Sequence, residues 1–118
     1  SPGIWLVWNV GQGQWLTHVQ GEKCRHFDMG GERASWSRLS KWCKRRRNTI
    51  FISHWDWDHI SFVSPSRSTL PEACVWGPQE KGVSERKIRV LRQLRACADV
   101  PEFPVWQPAY SKNSNDSS

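Results

Sequence analysis

The chain has 118 residues, of which 37% are hydrophobic, so it is long enough for one domain of ordinary size with its own core. Its 17 Lys and Arg against 11 Asp and Glu give a formal charge of +6, which favours polyanionic partners such as nucleic acid or anionic lipid headgroups. No apolar stretch approaches the roughly 20 residues that span a bilayer. The four Cys form no Cys-x-x-Cys pair, which argues against a zinc knuckle or a thioredoxin-like motif, but disulfides remain possible outside the cytoplasm.

The first third of the chain has the pattern of three short strands. β-Branched and aromatic residues fill Ile4–Val10, Trp15–Gln20 and Cys24–Asp28, and glycine turns separate them, which predicts a β-meander. The turn at residues 11–13 is not followed by the Lys-Ser/Thr of a phosphate loop. A tight hairpin connection is therefore favoured there over a ligand contact.

The rest of the chain alternates helix and strand patterns. Apolar residues at helical spacing predict an amphipathic helix over Ser35–Arg46, and a compact strand follows over Thr49–Ser53. Another short strand is predicted at Ala73–Trp76, and a second helix from Ser84 to about Ala98. Three prolines break regular structure beyond it, and residues 111–118 form a polar tail.

The strongest chemical signal is a run of four potential metal ligands within six residues: His54, Asp56, Asp58 and His59. Imidazole and carboxylate suit zinc, manganese or iron, and their alternation on a loop after a strand lets them converge on two adjacent sites. Two metal ions about 3.5–4 Å apart can bind a bridging hydroxide and clamp a phosphodiester, which is a hydrolase design. The alternative is an acidic turn with solvated aspartates, in which His59 caps the following helix.

This run resembles the His-x-His-x-Asp-His signature of the metallo-β-lactamase superfamily, with Asp56 where the second His usually stands. Together with residues 9–14 and 27–30, it is similar to the β-lactamase-like domain of the ComEC-type competence proteins of DNA uptake. The resemblance covers most of residues 4–77. It implies an α/β fold, the N-terminal half of a metallo-β-lactamase-type αβ/βα sandwich. Residues 1–110 would be the N-terminal part of that domain, and residues 111–118 a flexible tail or truncated loop.

The resemblance also implies a role for each residue of the motif. His54 and Asp56 would bind one divalent metal ion, manganese or zinc, and Asp58 and His59 would bind a second. Asp58 would in addition act as the catalytic residue that orients the attacking water. Asp28 would steady the ligand loop from behind, although a simple turn residue is an equal alternative there.

Two departures from the family pattern bear on this site. Asn9 and Gln14 replace the carboxylates usual at the two ends of the glycine turn, which removes negative charge. No His follows His59, so the downstream ligands that complete the family's site are not in this sequence. The resemblance therefore leads us to expect that the chain stops in the middle of the domain.

The implied function is metal-dependent hydrolysis of a DNA phosphodiester, removing the strand that is not taken up during transformation. The implied partners are single-stranded DNA, the remaining transmembrane channel domain of the same protein, and other DNA-uptake proteins. The domain would lie on the extracytoplasmic side of the inner membrane. Two other functions stay open: hydrolysis of a small ester, thioester or phosphodiester by the same centre, and a non-catalytic nucleic-acid-binding module.

Basic and aromatic residues near the motif offer contacts for DNA. Lys44, Arg45, Arg46 and Arg47 form a positive run, and Trp55 and Trp57 alternate with the metal ligands and should border the catalytic pocket. Tryptophan rings are stacking platforms for unpaired bases, and cations hold the backbone. The alternative is a solvated basic face with tryptophans in the core.

Overall fold

The computed structural model describes residues 2–78, Lys87 and residues 94–98, and the backbone of residues 107 and 108. Its strands are β1 (Ile4–Val7), β2 (Leu16–Gln20), β3 (Lys23–Phe27), β4 (Arg47–Phe51), β5 (Cys74–Gly77) and β6 (Gln107–Pro108). Its helices are α1 (Trp36–Cys43) and α2 (Trp57–Ile60), with a 3₁₀ turn at Pro65–Ser68.

All six strands belong to one mixed sheet, in the order β1-β2-β3-β4-β5-β6. The first three pair antiparallel, as the predicted meander requires. β3, β4 and β5 then run parallel, and β6 returns antiparallel. The parallel step from β3 to β4 needs a crossover, which α1 supplies. A mixed sheet with helices confirms the α/β class.

The parallel strands bring the predicted chemistry to one edge of the sheet. Asp28 directly follows β3, and its amide extends the ladder by donating to the Phe51 carbonyl at 2.8 Å. After β4 the Ile52 amide donates to the Trp76 carbonyl at 2.8 Å, and the chain then enters the His54 to His59 motif. The carboxyl ends of parallel strands are where α/β proteins place their active sites.

Helix α1 packs on one face of the sheet through Leu39 and Cys43, both fully buried. The Ser35 hydroxyl accepts from the Arg38 amide at 3.4 Å, as an N-cap does. A disulfide joins Cys43 to Cys24 of β3, with the two Cα atoms 5.9 Å apart. The helix is shorter at both ends than the predicted Ser35–Arg46, because the chain must turn after Cys43 to enter β4.

A buried polar chain lies between α1 and the sheet. The His26 ring accepts at Nδ1 from the Trp15 indole N–H at 3.2 Å, and the Thr17 hydroxyl lies 2.8 Å from the same nitrogen. Its Nε2 therefore holds the proton and donates to the Asn48 side-chain oxygen at 2.8 Å. The Asn48 amide donates in turn to the Cys43 and Arg46 carbonyls, at 2.8 and 2.9 Å, which satisfies the end of α1.

This chain makes stability sensitive to acid. Burial lowers the pKa of His26 from 6.5 to about 4, although the hydrogen bond to Asn48 opposes the shift. Between these two values the unfolded chain binds a proton that the folded chain does not, so the folded state loses stability as the pH falls. We expect the free energy of unfolding to drop by up to about 3 kcal/mol between pH 7 and pH 4 from this group. Urea unfolding at several pH values measures it.

A matched pair of histidine variants identifies the group responsible. His26→Gln should unfold more easily at pH 7 and lose this part of the pH dependence. His18→Gln, on the partly exposed His18 of β2, should keep the dependence of the wild type. An unchanged pH slope in His26→Gln would contradict the assignment.

The connection between β1 and β2 differs from the predicted tight hairpin. β1 ends at Val7 instead of Val10, and the Trp8 amide donates to the Trp15 carbonyl at 3.2 Å. Residues 9–14 form a loop that projects beyond the sheet and is bonded to other loops of the chain. β1 and β2 do pair antiparallel, so the hairpin is present, but eight residues connect the two strands and the connection is not tight. Tertiary contacts, and not the turn itself, set the path of this loop.

The second predicted helix is wrong at its C-terminal end. Residues 94–98 are extended, and Ala96 forms a parallel bridge with Val75 of β5. The Val75 amide donates to the Arg95 carbonyl at 2.8 Å, and a disulfide joins Cys97 to Cys74. This disulfide and the strand pairing hold the segment against β5. Residues 84–86 and 88–93 of that prediction, and the tail at residues 111–118, lie outside the described residues.

The sheet face opposite α1 presents a row of aromatic rings. Phe27 and Phe51 are paired in register and stack with centroids 5.3 Å apart, and Trp5 lies 5.7 Å from Phe27. Phe51 and Trp76 are buried, whereas Trp5 at the β1 edge is exposed.

Within the described ranges, no helix has the length and apolar character needed to cross a membrane.

Candidate functional site

Three segments that are distant in sequence meet at the edge of the sheet: residues 9–14, residues 28–31 and the His54 to His59 motif. The Gln14 amide donates to the carbonyls of both Gly30 and Asp58, at 3.1 Å each. The Met29 amide donates to the His59 carbonyl at 2.7 Å. These are the three segments on which the family resemblance rests, and main-chain hydrogen bonds interlock them.

Gly30 makes this close approach possible. A Cβ atom at this position would lie 2.3 Å from the carbonyl oxygen of Asp58 and 2.7 Å from the amide nitrogen of His59. Both are backbone atoms, which cannot rotate away. The glycine therefore lets residues 28–31 lie directly against the start of α2.

Asp28 is the anchor of the site. Its backbone is in the left-handed region, at φ 60°, and its carboxylate is buried, with 6% of the side chain exposed. One oxygen accepts from the Ser53 amide at 2.7 Å. The other accepts from the Ser53 hydroxyl at 2.5 Å and lies 2.8 Å from Nδ1 of His59. Asp28 thus ties the end of β4 to α2.

This contact orients the ring of His59. The Asp28 carboxylate accepts a hydrogen bond from Nδ1 of His59. In the neutral ring the lone pair is then on Nε2, which lies 3.8 Å from the nearer Asp58 oxygen. A carboxylate that accepts from the inner nitrogen of a histidine is the usual arrangement of a metal-ligating imidazole.

Two further motif residues lie beside this nitrogen. Asp58 is exposed over 53% of its side chain, and His59 over 17%. The His54 ring lies with its centroid 5.5 Å from that of His59, at 76° to it. The imidazoles of His54 and His59 and the carboxylate of Asp58 therefore lie at the same edge of the sheet. Asp58 and His59 are on a one-turn helix, α2, instead of the predicted loop.

Asp56 lies away from these three residues. Its carboxylate is exposed over 71% and lies 4.0 Å from the ammonium of Lys87, which also lies 5.8 Å above the ring of Trp57. No local pattern pairs Lys87 with the motif, because it lies 28 or more positions from every motif residue in the sequence.

The four predicted ligands do not form a ready cage. In the part of the chain that the structure describes, only Cys24, His26 and Cys43 form a group of three with ligand atoms all within 4.8 Å of one another. The two cysteines of that group are joined in the disulfide, so it is not a free metal site. Side-chain rotations at His54 and Asp58, and release of Asp56 from Lys87, would be needed to complete the predicted arrangement.

Trp55 corrects one prediction. It was expected to border the pocket and stack on DNA, but it is only 3% exposed. Its indole N–H donates to the Pro78 carbonyl at 2.7 Å, and its ring packs against Gly77, where a Cβ would come within 2.3 Å. Trp55 is therefore a core residue, and its ring has no open face for a base. Trp57 is the exposed member of the pair.

The basic run lies at the other end of β4 from the motif. Arg47 begins the strand and His54 follows it by seven residues, so at about 3.3 Å per residue the two are roughly 20 Å apart. Lys44, Arg45 and Arg47 are exposed. Arg46 is partly buried, and its guanidinium donates to the carbonyls of Gly21, at 2.9 Å, and of Trp42. It braces the end of α1, so the prediction that it contacts DNA is not supported.

Comparison with known proteins gives no assignment. No family model, no curated protein and no solved structure matches the chain. The function must therefore be inferred from the site itself.

Proposed function

We propose that this chain is the N-terminal part of a metal-dependent hydrolase with a metallo-β-lactamase-type αβ/βα sandwich. The observation that carries the proposal is the contact between Asp28 and His59. In the neutral ring it leaves the lone pair on Nε2, which lies 3.8 Å from the nearer Asp58 oxygen, and the His54 ring lies beside that of His59 at the edge of the sheet. A buried carboxylate that orients a histidine in this way is typical of a metal-ligating imidazole.

The aromatic face supports the fold. In a sandwich of two sheets the inner faces stack about 10 Å apart. The face opposite α1 presents Trp5, Phe27 and Phe51 in a continuous row that becomes more exposed toward β1. A second sheet stacked on this row would bury it, while α1 would stay on the outside.

The donor set suits zinc or manganese. His54, Asp58 and His59 would hold an ion at the exposed edge, and Asp56 would join them on leaving Lys87. Bound there as a pair, divalent ions would activate a water molecule and neutralise charge on a phosphodiester. Asp58, which is more exposed than His59, would position that water. Asp28 would keep His59 oriented throughout.

DNA is the substrate that the charge favours. The chain has a formal charge of +6, and exposed Lys44, Arg45 and Arg47 offer phosphate contacts remote from the motif. Both disulfides suit an oxidising compartment, which supports an extracytoplasmic location. In this proposal the domain degrades the strand not taken up in transformation, beside a transmembrane channel domain of the same protein and other DNA-uptake proteins.

Metal binding is the first test. Calorimetric titration of the chain with Mn²⁺ or Zn²⁺ should show binding that Asp58→Asn weakens at least 10-fold, because the variant loses a charged ligand of the edge. Glu22→Gln is the matched control, since it removes one negative charge from an exposed turn far from the motif. Equal affinities in all three proteins would contradict a metal site at Asp58.

Cleavage is the second test. End-labelled single-stranded DNA is incubated with Mn²⁺ or Zn²⁺ and with the chain or the longest version of the protein that can be purified. Asp58→Asn should reduce the rate at least about 100-fold, the usual contribution of a residue that activates water. Metal binding without any cutting of DNA would overturn the nuclease proposal. Small esters and cyclic phosphodiesters are then the substrates to test.

A further inference from the structure

A groove between β1 and α1 has no role in the site described above. Its volume is about 270 Å³. One wall is formed by β1 and the loop after it, and the other by α1 and its N-cap. The side chains that matter for its chemistry are Leu6, Trp8, Val10, Ser35, Arg38 and Trp42.

The aromatic wall of the groove is held in place. Trp8 donates from its indole N–H to the Thr17 hydroxyl at 2.7 Å, and its ring lies against Trp15, with centroids 5.0 Å apart and planes 31° apart. Trp8 and Trp42 are both partly exposed. A fixed, partly exposed indole is a platform for a planar ring and loses little entropy when the ring binds.

Positive charge follows the groove along α1. Arg38 is exposed at its rim, and Lys41, Lys44 and Arg45 are exposed further toward and beyond the end of the helix. An adjoining open depression is lined by the last three of these cations and Ser40. From Ser35 to Arg47 the sequence contains no acidic residue. Aromatic platforms beside a row of cations are the combination that binds unpaired bases and their phosphates.

The groove also leads toward the candidate metal edge. Its upper end is formed by Asn9 and Val10, in the loop whose Gln14 amide donates to the Asp58 carbonyl. Its lower end, at Trp42, adjoins the exposed cations of the helix end. A strand lying in the groove would therefore run from the basic end of α1 toward Asp58.

We propose that this groove binds an unpaired segment of nucleic acid, with bases against Trp8 and Trp42 and phosphates on Arg38 and Lys41. The proposal deepens the proposed function, since it rests on DNA as the substrate, and it names the single strand as the form that is held. A duplex hides the faces of its bases and cannot use the indole platforms.

The test is a binding titration in EDTA, so that neither metal nor cleavage enters. A fluorescein-labelled 15-nucleotide oligo(dT) is titrated with the wild-type chain and with an Arg38→Gln/Lys41→Gln double variant. Both positions are on the rim of α1, so the variant should fold. We expect it to bind at least about 10-fold more weakly. The slope of log affinity against log salt should fall by about 0.7 for each lost phosphate contact.

Arg67→Gln is the control for each single charge that is removed, because Arg67 is exposed and lies outside the groove. It should leave the salt slope unchanged. Trp42→Leu, checked for folding by circular dichroism, should weaken oligo(dT) binding without changing that slope. If Arg67→Gln weakens binding as much as one groove substitution, or if duplex DNA binds as tightly as oligo(dT), the groove proposal is overturned.

The two proposals fail separately. If the wild-type chain shows groove-dependent binding but does not cleave DNA, the nuclease is overturned and a single-strand-binding module is left. If DNA is cleaved but its binding does not depend on Arg38 and Lys41, only the groove proposal is overturned.

Discussion

Gly30→Ala is expected to lower the free energy of unfolding by about 3 kcal/mol or more, the upper end of the cost of overpacking. The new Cβ would overlap the carbonyl of Asp58 at 2.3 Å and the amide of His59 at 2.7 Å. Backbone atoms can relieve such an overlap only by moving apart. Residues 28–31 would then separate from α2, and the contact between Asp28 and His59 would be lost with them. A thermal melt should show a fall on the order of 10 °C.

Gly21→Ala separates this steric effect from backbone strain. Gly21 is in the left-handed region at φ 58°, but a Cβ there would meet nothing within 4 Å. It should therefore lose only about 1 kcal/mol, the cost of the left-handed conformation for a residue with a side chain. If Gly30→Ala melts no lower than Gly21→Ala, the close contact of the loops is not the cause of the lost stability.

Removing the disulfide between Cys24 and Cys43 is expected to cost about 3 kcal/mol, the loop-closure entropy for a separation of 19 residues. The bond joins α1 to β3. Because α1 has only eight residues, it is not stable apart from the sheet. Urea unfolding of the Cys24→Ala/Cys43→Ala variant, followed by tryptophan fluorescence, measures the loss.

The two cysteines are substituted by alanine, instead of the disulfide being reduced, for a chemical reason. Reduced Cys24 and Cys43 would lie with His26 as three potential ligands within 4.8 Å, and a trace metal bound there would restore stability. The Cys74→Ala/Cys97→Ala variant, with a separation of 23 residues, has nearly the same entropic cost but leaves α1 attached. A loss below about 1 kcal/mol for the first pair would show that packing alone holds α1 to the sheet.

The sequence predicted the elements whose patterns are local. The meander, α1 and β4 follow from alternation, helical spacing and short apolar runs, and each is present with ends shifted by up to three residues. Because the motif directly follows a predicted strand, the sequence also predicted that the ligands lie at the carboxyl end of that strand. Periodicity succeeds here because each of these elements buries one face against the same core.

The failures came from contacts that no local pattern contains. Leu94 to Ala98 have helical spacing, but a disulfide and pairing with β5 hold them extended. Trp55 alternates with polar residues, yet it is buried because Gly77 leaves room for its ring. His26, at the centre of the buried polar chain, had no signal in the sequence, since its three partners come from a loop and two other strands.

The interlock of the three loops also determines which positions there tolerate substitution. Its crossing hydrogen bonds are made by main-chain amides and carbonyls of Gln14, Gly30, Asp58 and their neighbours, and the side chains of Asp28 and Ser61 add further contacts. The crossing bonds do not use the side chains at residues 9 and 14, so substitutions there should leave the interlock in place. Only the glycines at the crossing point are constrained by shape. The exposed side chains of these loops can therefore change while the main chain beneath Asp58 and His59 stays in place.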